Sequence, residues 1–329
     1  MNKILSLLLS ALLLLAGSSG AWASSGAWLT YWDADRALEE LQAMPDGFDE
    51  LICFEAFFDE SGDWFLPPES AVLLSSLQDS DAQVYLSLVN DVKMDSGSIV
   101  QKSKDFLRDN LLTEESREAH LDRVLELVDL FSLQGIEIDY ENFKSDTELW
   151  EGFTLFLERL YSILSRDGVR LRVVMECRAP KYAVFPKGPE YICMCYNLYG
   201  THSGPGPKAD TAFLRELAES WRTVPGPVRM AFATGGFLWE GGSVSRSLTE
   251  QDASELLLGQ GVTPQRDPDS MALKAELPGS SEKVVWYADG TTLSAWREVL
   301  SDMGYSRFDL FRLGGNKAES LSAFLGTAS

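Results

Sequence analysis

Short apolar segments alternate with longer amphipathic segments along most of the chain. The short segments predict buried strands, and the longer ones, whose apolar residues recur every three or four positions, predict helices. The predicted strands are 28–32, 50–57, 83–90, 135–141, 170–177, 191–197, 228–234 and 307–313. The predicted helices are 36–43, 68–77, 99–110, 117–133, 147–165, 209–221 and 292–303. Eight strands that alternate with helices over about 300 residues predict an α/β fold, a (β/α)8 TIM barrel.

The segment 240–289 is longer than one barrel loop and has a helical pattern at 249–259 and a strand pattern at 283–287. We expect it to form a small α+β insertion between the last two barrel strands. A doubly wound open sheet is the structural alternative, but no G-x-G-x-x-G or phosphate loop follows any predicted strand. The chain after residue 23 is therefore expected to be one domain, 24–329.

The most unusual stretch is 134–142, Q-G-I-E-I-D-Y-E-N. Its strict alternation predicts a strand with Glu137, Asp139 and Glu141 on one face. Side chains two positions apart lie about 6.8 Å from each other on a strand, and two carboxylates at this distance repel each other. Repulsion raises the pKa of one of them, which suits a general acid that works near neutral pH. A solvated edge strand is the alternative interpretation.

Chemistry in a TIM barrel takes place at the carboxyl ends of the strands. Polar residues at these ends are Glu141, Asn90, Tyr196 and Asn197, and aromatic residues gather at the same edge. The aromatic candidates are Tyr31, Trp32, Phe57, Phe58, Trp239 and Phe311. An acid among aromatic rings is suited to hold and cleave a sugar, although each ring could also complete the packing of the barrel end.

Residues 1–23 resemble a secretory signal peptide. Lys3 supplies the positive charge, residues 4–16 are apolar, and 21–23 read A-W-A, a typical cleavage site. The apolar run is short for a membrane span. We therefore expect a secreted or cell-surface-associated protein without a transmembrane segment in the mature chain.

The composition describes an acidic globular protein, with 45% hydrophobic and 24% charged residues among 329. The formal charge of −22 argues against nucleic acid and against polyanionic cell-wall polymers as main partners. A neutral or zwitterionic substrate is easier to accommodate. We expect a monomer.

The four cysteines, Cys53, Cys177, Cys193 and Cys195, fall within apolar segments, which favours buried free thiols. A bridge from Cys177 to Cys193 or Cys195 stays open if their strands are neighbours. No metal site is expected, since the chain has only His120 and His202.

Several motifs, in order along the whole mature chain, resemble glycoside hydrolase family 18. Residues 134–141 are similar to its fourth-strand motif D-G-x-D-x-D-x-E, and 194–200, M-C-Y-N-L-Y-G, to its sixth-strand motif M-x-Y-D. Gly236 and Trp239 fit the pattern Y-G-x-x-W, and 311–314 fit W-R-L-G. The P-G-P at 205–207 is similar to the branch that cleaves spore-cortex peptidoglycan.

The resemblance implies retaining, substrate-assisted hydrolysis of a β-linked N-acetylglucosamine-containing glycan, such as peptidoglycan, chitin oligomers or N-glycans, without a cofactor. It implies that Glu141 is the acid and base, that Asp139 orients the acetamido group, and that Tyr196 binds its carbonyl. Glu137, Asn197, Tyr31, Phe57, Asn90, Trp239 and Phe311 are the expected substrate-binding residues.

Four positions depart from the family pattern: Glu137 and Asn197 each stand where the family has Asp, Phe311 stands where it has Trp, and Gly235 stands where it often has Tyr. An alternative function is a chitinase-like glycan-binding protein that has lost turnover. A surface or germination-associated structural protein is the third hypothesis. The acid Glu141 favours the enzyme, since lectin relatives commonly lose this residue.

Overall fold

A computed structural model of the chain describes residues 24–44, 46–78, 80–279 and 282–327. The predicted signal peptide, residues 1–23, lies outside the described residues. None of the described helices combines the length and the apolar content needed to cross a lipid bilayer.

Eight parallel strands close into a barrel, which confirms the predicted (β/α)8 TIM barrel. Neighbouring strands pair in the order β1, β2, β4, β6, β7, β8, β9 and β15, and β15 pairs with β1 again. These strands are β1 (Ser24–Thr30), β2 (Glu50–Asp59), β4 (Gln83–Lys93), β6 (Gly135–Asp139), β7 (Arg170–Met175), β8 (Glu190–Met194), β9 (Val228–Ala233) and β15 (Arg307–Phe311). Two short strands, β3 (Trp64–Phe65) and β5 (Ile99–Val100), extend β2 and β4 as antiparallel partners.

Helices surround the barrel because each presents one apolar face to the strands. They are α1 (Ala34–Ala43), α2 (Pro68–Ser76), α3 (Lys104–Leu111), α4 (Glu114–Leu130), α5 (Thr147–Leu164), α6 (Thr211–Trp221), α8 (Gly290–Asp302) and α9 (Ala318–Leu325), whereas α7 (Glu250–Gly259) packs on the second sheet described below. The outward side chains of the strands, among them Ile136 and Ile138 of β6, form one core with these faces.

Two helical predictions are wrong in detail. The predicted helix 99–110 begins only at Lys104, because Ile99 and Val100 pair with the end of β4 in a hairpin. The predicted helix 117–133 begins at Glu114, where the Thr113 side chain accepts a hydrogen bond from the Ser116 backbone N–H in a capping box. The sequence analysis also did not predict α9, which follows the last barrel strand.

A second sheet of five antiparallel strands follows β9 and forms the lobe of the molecule. It contains β10 (Gly235–Glu240), β11 (Ser243–Leu248), β12 (Gln265–Arg266), β13 (Leu273–Leu277) and β14 (Lys283–Ala288), and α7 packs on it. The α+β insertion between the last two barrel strands is thus confirmed. Its first strand already contains Gly236 and Trp239.

Candidate active site

The strand β6 delivers three acidic side chains to the interior and the carboxyl end of the barrel. Its isoleucines face the helices, so Glu137 and Asp139 face inward, and Glu141 follows two residues after the strand ends. The predicted alternation is therefore confirmed, and the stretch is a fully buried barrel strand rather than a solvated edge.

Glu137 lies below the cleft, in a layer of charged groups that fills the barrel. Its carboxylate accepts hydrogen bonds from Trp28 Nε1 at 2.7 Å and from Arg172 Nε at 2.9 Å. Burial raises the pKa of Glu137, although Arg172 acts in the opposite direction. Glu137 is an expected substrate-binding residue, but its side chain is fully buried and does not line the cleft. It lies in the charged layer below the site.

The same layer continues across the barrel through Arg172, which also forms ion pairs with Glu50 and, at 2.6 Å, with Asp309. Arg229 holds the other oxygen of Asp309 at 2.6 Å. Burial alone would raise the pKa of Asp309, but the two guanidinium groups hold it below its usual value. These charges are compensated within the barrel, as buried ions require.

Asp139 is buried above this layer, and its Oδ1 has no hydrogen-bond partner among the described residues. Burial, followed by the charges of Glu141 and Glu137, raises the pKa of Asp139 well above its usual value. A buried polar atom without a partner costs free energy, so this oxygen is suited to receive a donor from a bound ligand.

Of the three acidic side chains of this stretch, Glu141 is the one that lines the cleft, with 13% of its side chain exposed. Asn90 positions its backbone: Asn90 Oδ1 accepts from Glu141 N–H at 2.9 Å, and Asn90 Nδ2 donates to the Glu141 carbonyl at 3.1 Å. Asn90 itself is buried and does not line the cleft. It therefore holds the backbone of Glu141 without lining the cleft itself.

Lys102 forms an ion pair with Glu141, with 2.5 Å between Nζ and Oε1. The backbone of Lys102 is tied on both sides, since its N–H donates to Asp91 Oδ1 at 2.8 Å and its carbonyl accepts from Asn142 Nδ2 at 3.0 Å. Burial raises the pKa of Glu141, and Lys102 opposes this shift. Sequence reasoning missed Lys102 because it lay within a predicted helix.

A second carboxyl group close to Glu141 belongs to Glu55 on β2. Burial, then Asp91 and Glu141, raises the pKa of Glu55 to about 8. Glu55 is therefore mostly uncharged at neutral pH, which lessens the negative charge next to the candidate acid.

The cleft above Glu141 has a volume of about 980 Å³ and is also lined by Tyr196, Asn197 and Phe311. The rings of Tyr196 and Phe311 stack at 5.9 Å with an interplanar angle of 21°. The rings of Trp28 and Phe54 also pack against Phe311, with 6.0 and 5.9 Å between ring centroids. The floor is thus aromatic and adjoins the acid, as a sugar-binding cleft needs.

Tyr196 is held in its neutral form. Burial, then the charges of Asp139 and Glu141, raises its pKa well above the usual value. Its hydroxyl can therefore donate a hydrogen bond over the whole pH range in which carboxylates titrate.

Five of the six aromatic candidates do not line the cleft: Tyr31, Trp32, Phe57, Phe58 and Trp239. Tyr31 contacts Trp32 at 5.1 Å, and Phe57 packs on Phe65 at 5.1 Å. Trp239 is buried in the lobe behind Phe237, which lines the cleft in its place. Phe237 could have been predicted as a cleft residue from the sequence, since it shares a strand face with Trp239. Only the structure shows which of the two rings lines the cleft.

All four cysteines are free and buried, so no bridge joins Cys177 to Cys193 or Cys195. Cys195 Sγ instead donates to the Cys193 carbonyl at 3.4 Å. In the described part of the chain, no group of three His, Cys, Asp or Glu residues is arranged to hold a metal ion.

Solved structures with the same architecture include chitinases and a spore cortex-lytic enzyme. A chitinase from Chromobacterium violaceum ATCC 12472 superimposes with a TM-score of 0.78 at 17% identity, covering 93% of this chain and 99% of the other. The Bacillus cereus spore cortex-lytic enzyme SleL gives 0.76 at 15% identity, covering 93% and 74%. A class V chitinase from Nicotiana tobaccum gives 0.74 at 12% identity, covering 93% and 99%.

The chain has the fold of these chitinases and of this cortex-lytic enzyme. The resemblance suggested by the strand motifs is thereby confirmed at the level of the fold. No protein-family model and no curated protein matches the sequence.

Proposed function

We propose that this protein is an exported glycoside hydrolase that cleaves β-linked N-acetylglucosamine-containing glycans with retention of configuration. The observation that carries the proposal is the pair Glu141 and Asp139. One carboxyl group opens into an aromatic cleft, and the other lies buried beneath it with an oxygen free to accept a hydrogen bond. Export rests on the signal-like residues 1–23.

The first step would use Glu141 as a general acid. Its raised pKa supports a protonated carboxyl group, which gives its proton to the glycosidic oxygen as that bond breaks. The acetamido oxygen of the sugar attacks the anomeric carbon and forms a cyclic oxazolinium ion. Asp139 accepts the acetamido N–H and stabilises the positive charge, while the Tyr196 hydroxyl donates to the acetamido carbonyl.

In the second step Glu141, now a carboxylate, takes a proton from water, and the water oxygen attacks the anomeric carbon. The oxazolinium ring opens, and the acetamido group is restored. Two inversions at one carbon give net retention. Phe311 would lie under the reacting sugar with its ring stacked on Tyr196.

A glycan-binding protein without turnover is the second candidate, and the ion pair between Lys102 and Glu141 favours it. An ion pair stabilises the ionised carboxylate, whereas the first chemical step needs the protonated one. The two candidates share a cleft and differ only in whether products appear.

The test compares wild-type protein with Glu141→Gln on peptidoglycan, chitooligosaccharides and a high-mannose glycopeptide, with products identified by mass spectrometry. We expect the variant to lose at least about a hundredfold in kcat, because the proton donor is gone. Glu151→Gln, an exposed glutamate on α5, is the matched control and should retain full activity.

Equal product release by wild type and Glu141→Gln would show that Glu141 is not the acid. If neither protein releases products but both retain the same glycan on a column, the binding function is correct and the hydrolase is wrong.

A further inference from the structure

The cleft has a charge opposite to that of the chain. Over the full sequence 50 acidic residues outnumber 28 basic ones. The cleft lining has the opposite balance, since its only acidic members among the described residues are Glu141, Glu176 and Asp252. Its basic members are Arg36, Lys102, Lys144, Arg178, Lys208 and Arg312.

Half of these cations already have partners. Arg36 and Arg312 both bind Asp33, at 2.7 and 2.6 Å, and Lys102 binds Glu141. These three charges therefore belong to the scaffold of the cleft and are compensated there.

The other three cations have no carboxylate of a described residue within 4.0 Å. Lys208 Nζ donates to the Thr234 carbonyl at 2.8 Å and lies 5.4 Å from the Phe237 ring, but neither contact supplies a negative charge. Burial lowers the pKa of Lys208 to about 7, a shift that a bound anion would reverse. Lys144 and Arg178 are exposed and Lys208 is half-buried, so solvent alone compensates the charges of Lys144 and Arg178, and a bound anion would favour the charged form of Lys208.

These three cations occupy one side of the cleft. Lys144 follows β6, Arg178 follows β7 and Lys208 follows β8, and these strands are neighbours in the barrel. Lys144 lies three positions after Glu141, and its loop is anchored by Trp150 Nε1, which donates to the Lys144 carbonyl at 3.0 Å. A ligand cleaved at Glu141 would therefore pass along them.

We propose that Lys144, Arg178 and Lys208 bind carboxylates of the substrate, so that the cleft takes an N-acetylglucosamine-containing glycan with carboxyl groups on its other sugar or on a substituent of that sugar. This inference rests on the proposed glycosidase function and specifies its substrate class. Ammonium and guanidinium groups form strong charge-assisted hydrogen bonds with carboxylates, and a guanidinium can form two at once. A neutral glycan would leave the three charges unused.

The test uses peptide-free glycan strands of peptidoglycan, which carry a carboxyl group on alternate sugars, and the same strands after methyl esterification. Esterification removes the charge and keeps the sugar. We expect wild-type protein to have a kcat/KM about tenfold or more higher on the acid form, as the loss of a hydrogen bond to a charged group implies. Strands with their peptides attached distinguish carboxylates on the sugar from carboxylates on the peptide.

The double variant Lys144→Gln with Arg178→Gln should lose this preference, so that its kcat/KM on the acid strands falls to its value on the esterified strands. Lys187→Gln is the control, since Lys187 is exposed and lies outside the cleft lining. Lys208→Met removes the third cation alone, so it measures the contribution of Lys208 to the preference for acid strands independently.

Equal rates of wild type on acid and esterified strands would overturn the inference while leaving the glycosidase function intact, and so would an equal loss by the double variant on both. If wild type cleaves none of these glycans, calorimetric titration still decides. Tighter binding of the acid strands would support the carboxylate site without turnover, and no binding would overturn both proposals.

Discussion

Glu141 experiences two opposing influences, and both come from neighbours that are distant along the chain. Burial favours its neutral form, while the Lys102 ammonium group at 2.5 Å favours its ionised form. The loop that carries Lys102 is tied to Asp91 and Asn142, so the contact is built into the fold. Lys102 is therefore a positioning residue that sets the ionisation of the candidate acid.

We expect Lys102→Met to raise the pKa of Glu141 further, because the charge that stabilises the carboxylate is removed. The alkaline limb of kcat/KM reports the loss of the acid's proton, so it should move to higher pH. Measuring the pH profile on a chitooligosaccharide or on glycan strands checks this. Lys104→Met, which removes an ion pair with Asp146 instead, should leave the limb in place, and an unmoved limb in Lys102→Met would contradict the assignment.

At the scale of elements, the barrel strands are joined by more than backbone hydrogen bonds. Arg172 on β7 links Glu137 on β6, Glu50 on β2 and Asp309 on β15. Because Glu137 binds Arg172 and Trp28, its carboxylate lies in this layer and outside the cleft lining. The charge of Glu137 still contributes to the raised pKa of Asp139.

Replacing Arg172 with Met should destabilise the protein by about 3–5 kcal/mol, since three buried carboxylates lose their common partner. Urea denaturation at pH 7 gives this free energy of unfolding. Arg170→Met on the exposed start of the same strand is the control, with an expected cost below about 1 kcal/mol. A similar small cost for both variants would show that the network contributes little.

At the scale of the whole molecule, the lobe completes the cleft. Phe237 and Asp252 reach the cleft from the lobe, opposite to the barrel residues Glu141 and Tyr196. The lobe is held by Glu250 at the start of α7, which accepts from Lys317 N–H at 3.0 Å and from Ser320 Oγ at 2.7 Å. Glu250 thereby connects the lobe to the segment that leads into α9.

We expect Glu250→Ala to lower the free energy of unfolding by about 1–3 kcal/mol, because buried donors lose their acceptor. It should also raise KM with little change in kcat, since the lobe wall loosens while Glu141 stays in place. Thermal unfolding and steady-state kinetics measure the two effects. Glu255→Ala, exposed on the same helix, should change neither. A fall in kcat at constant KM would mean that the lobe acts on the chemistry.

The sequence by itself determined the order of strands and helices, the barrel, and the position of an acid at the end of the fourth strand. These features follow from hydrophobic periodicity, which is local. It also indicated that Asp139 and Glu141 share one strand face. It did not reveal the hairpin at Ile99 and Val100, whose apolar residues fit a helix equally well in isolation.

Only the tertiary structure decided which charges meet. Trp28 and Glu137 are 109 positions apart, and Lys102 reaches Glu141 from another loop. The formal charge of −22 is a sum over the whole sequence and predicts a neutral substrate. The cleft, in contrast, is lined by cations from loops that are distant in sequence. Electrostatic energy depends on distance in space, which the spacing of residues along a chain does not contain.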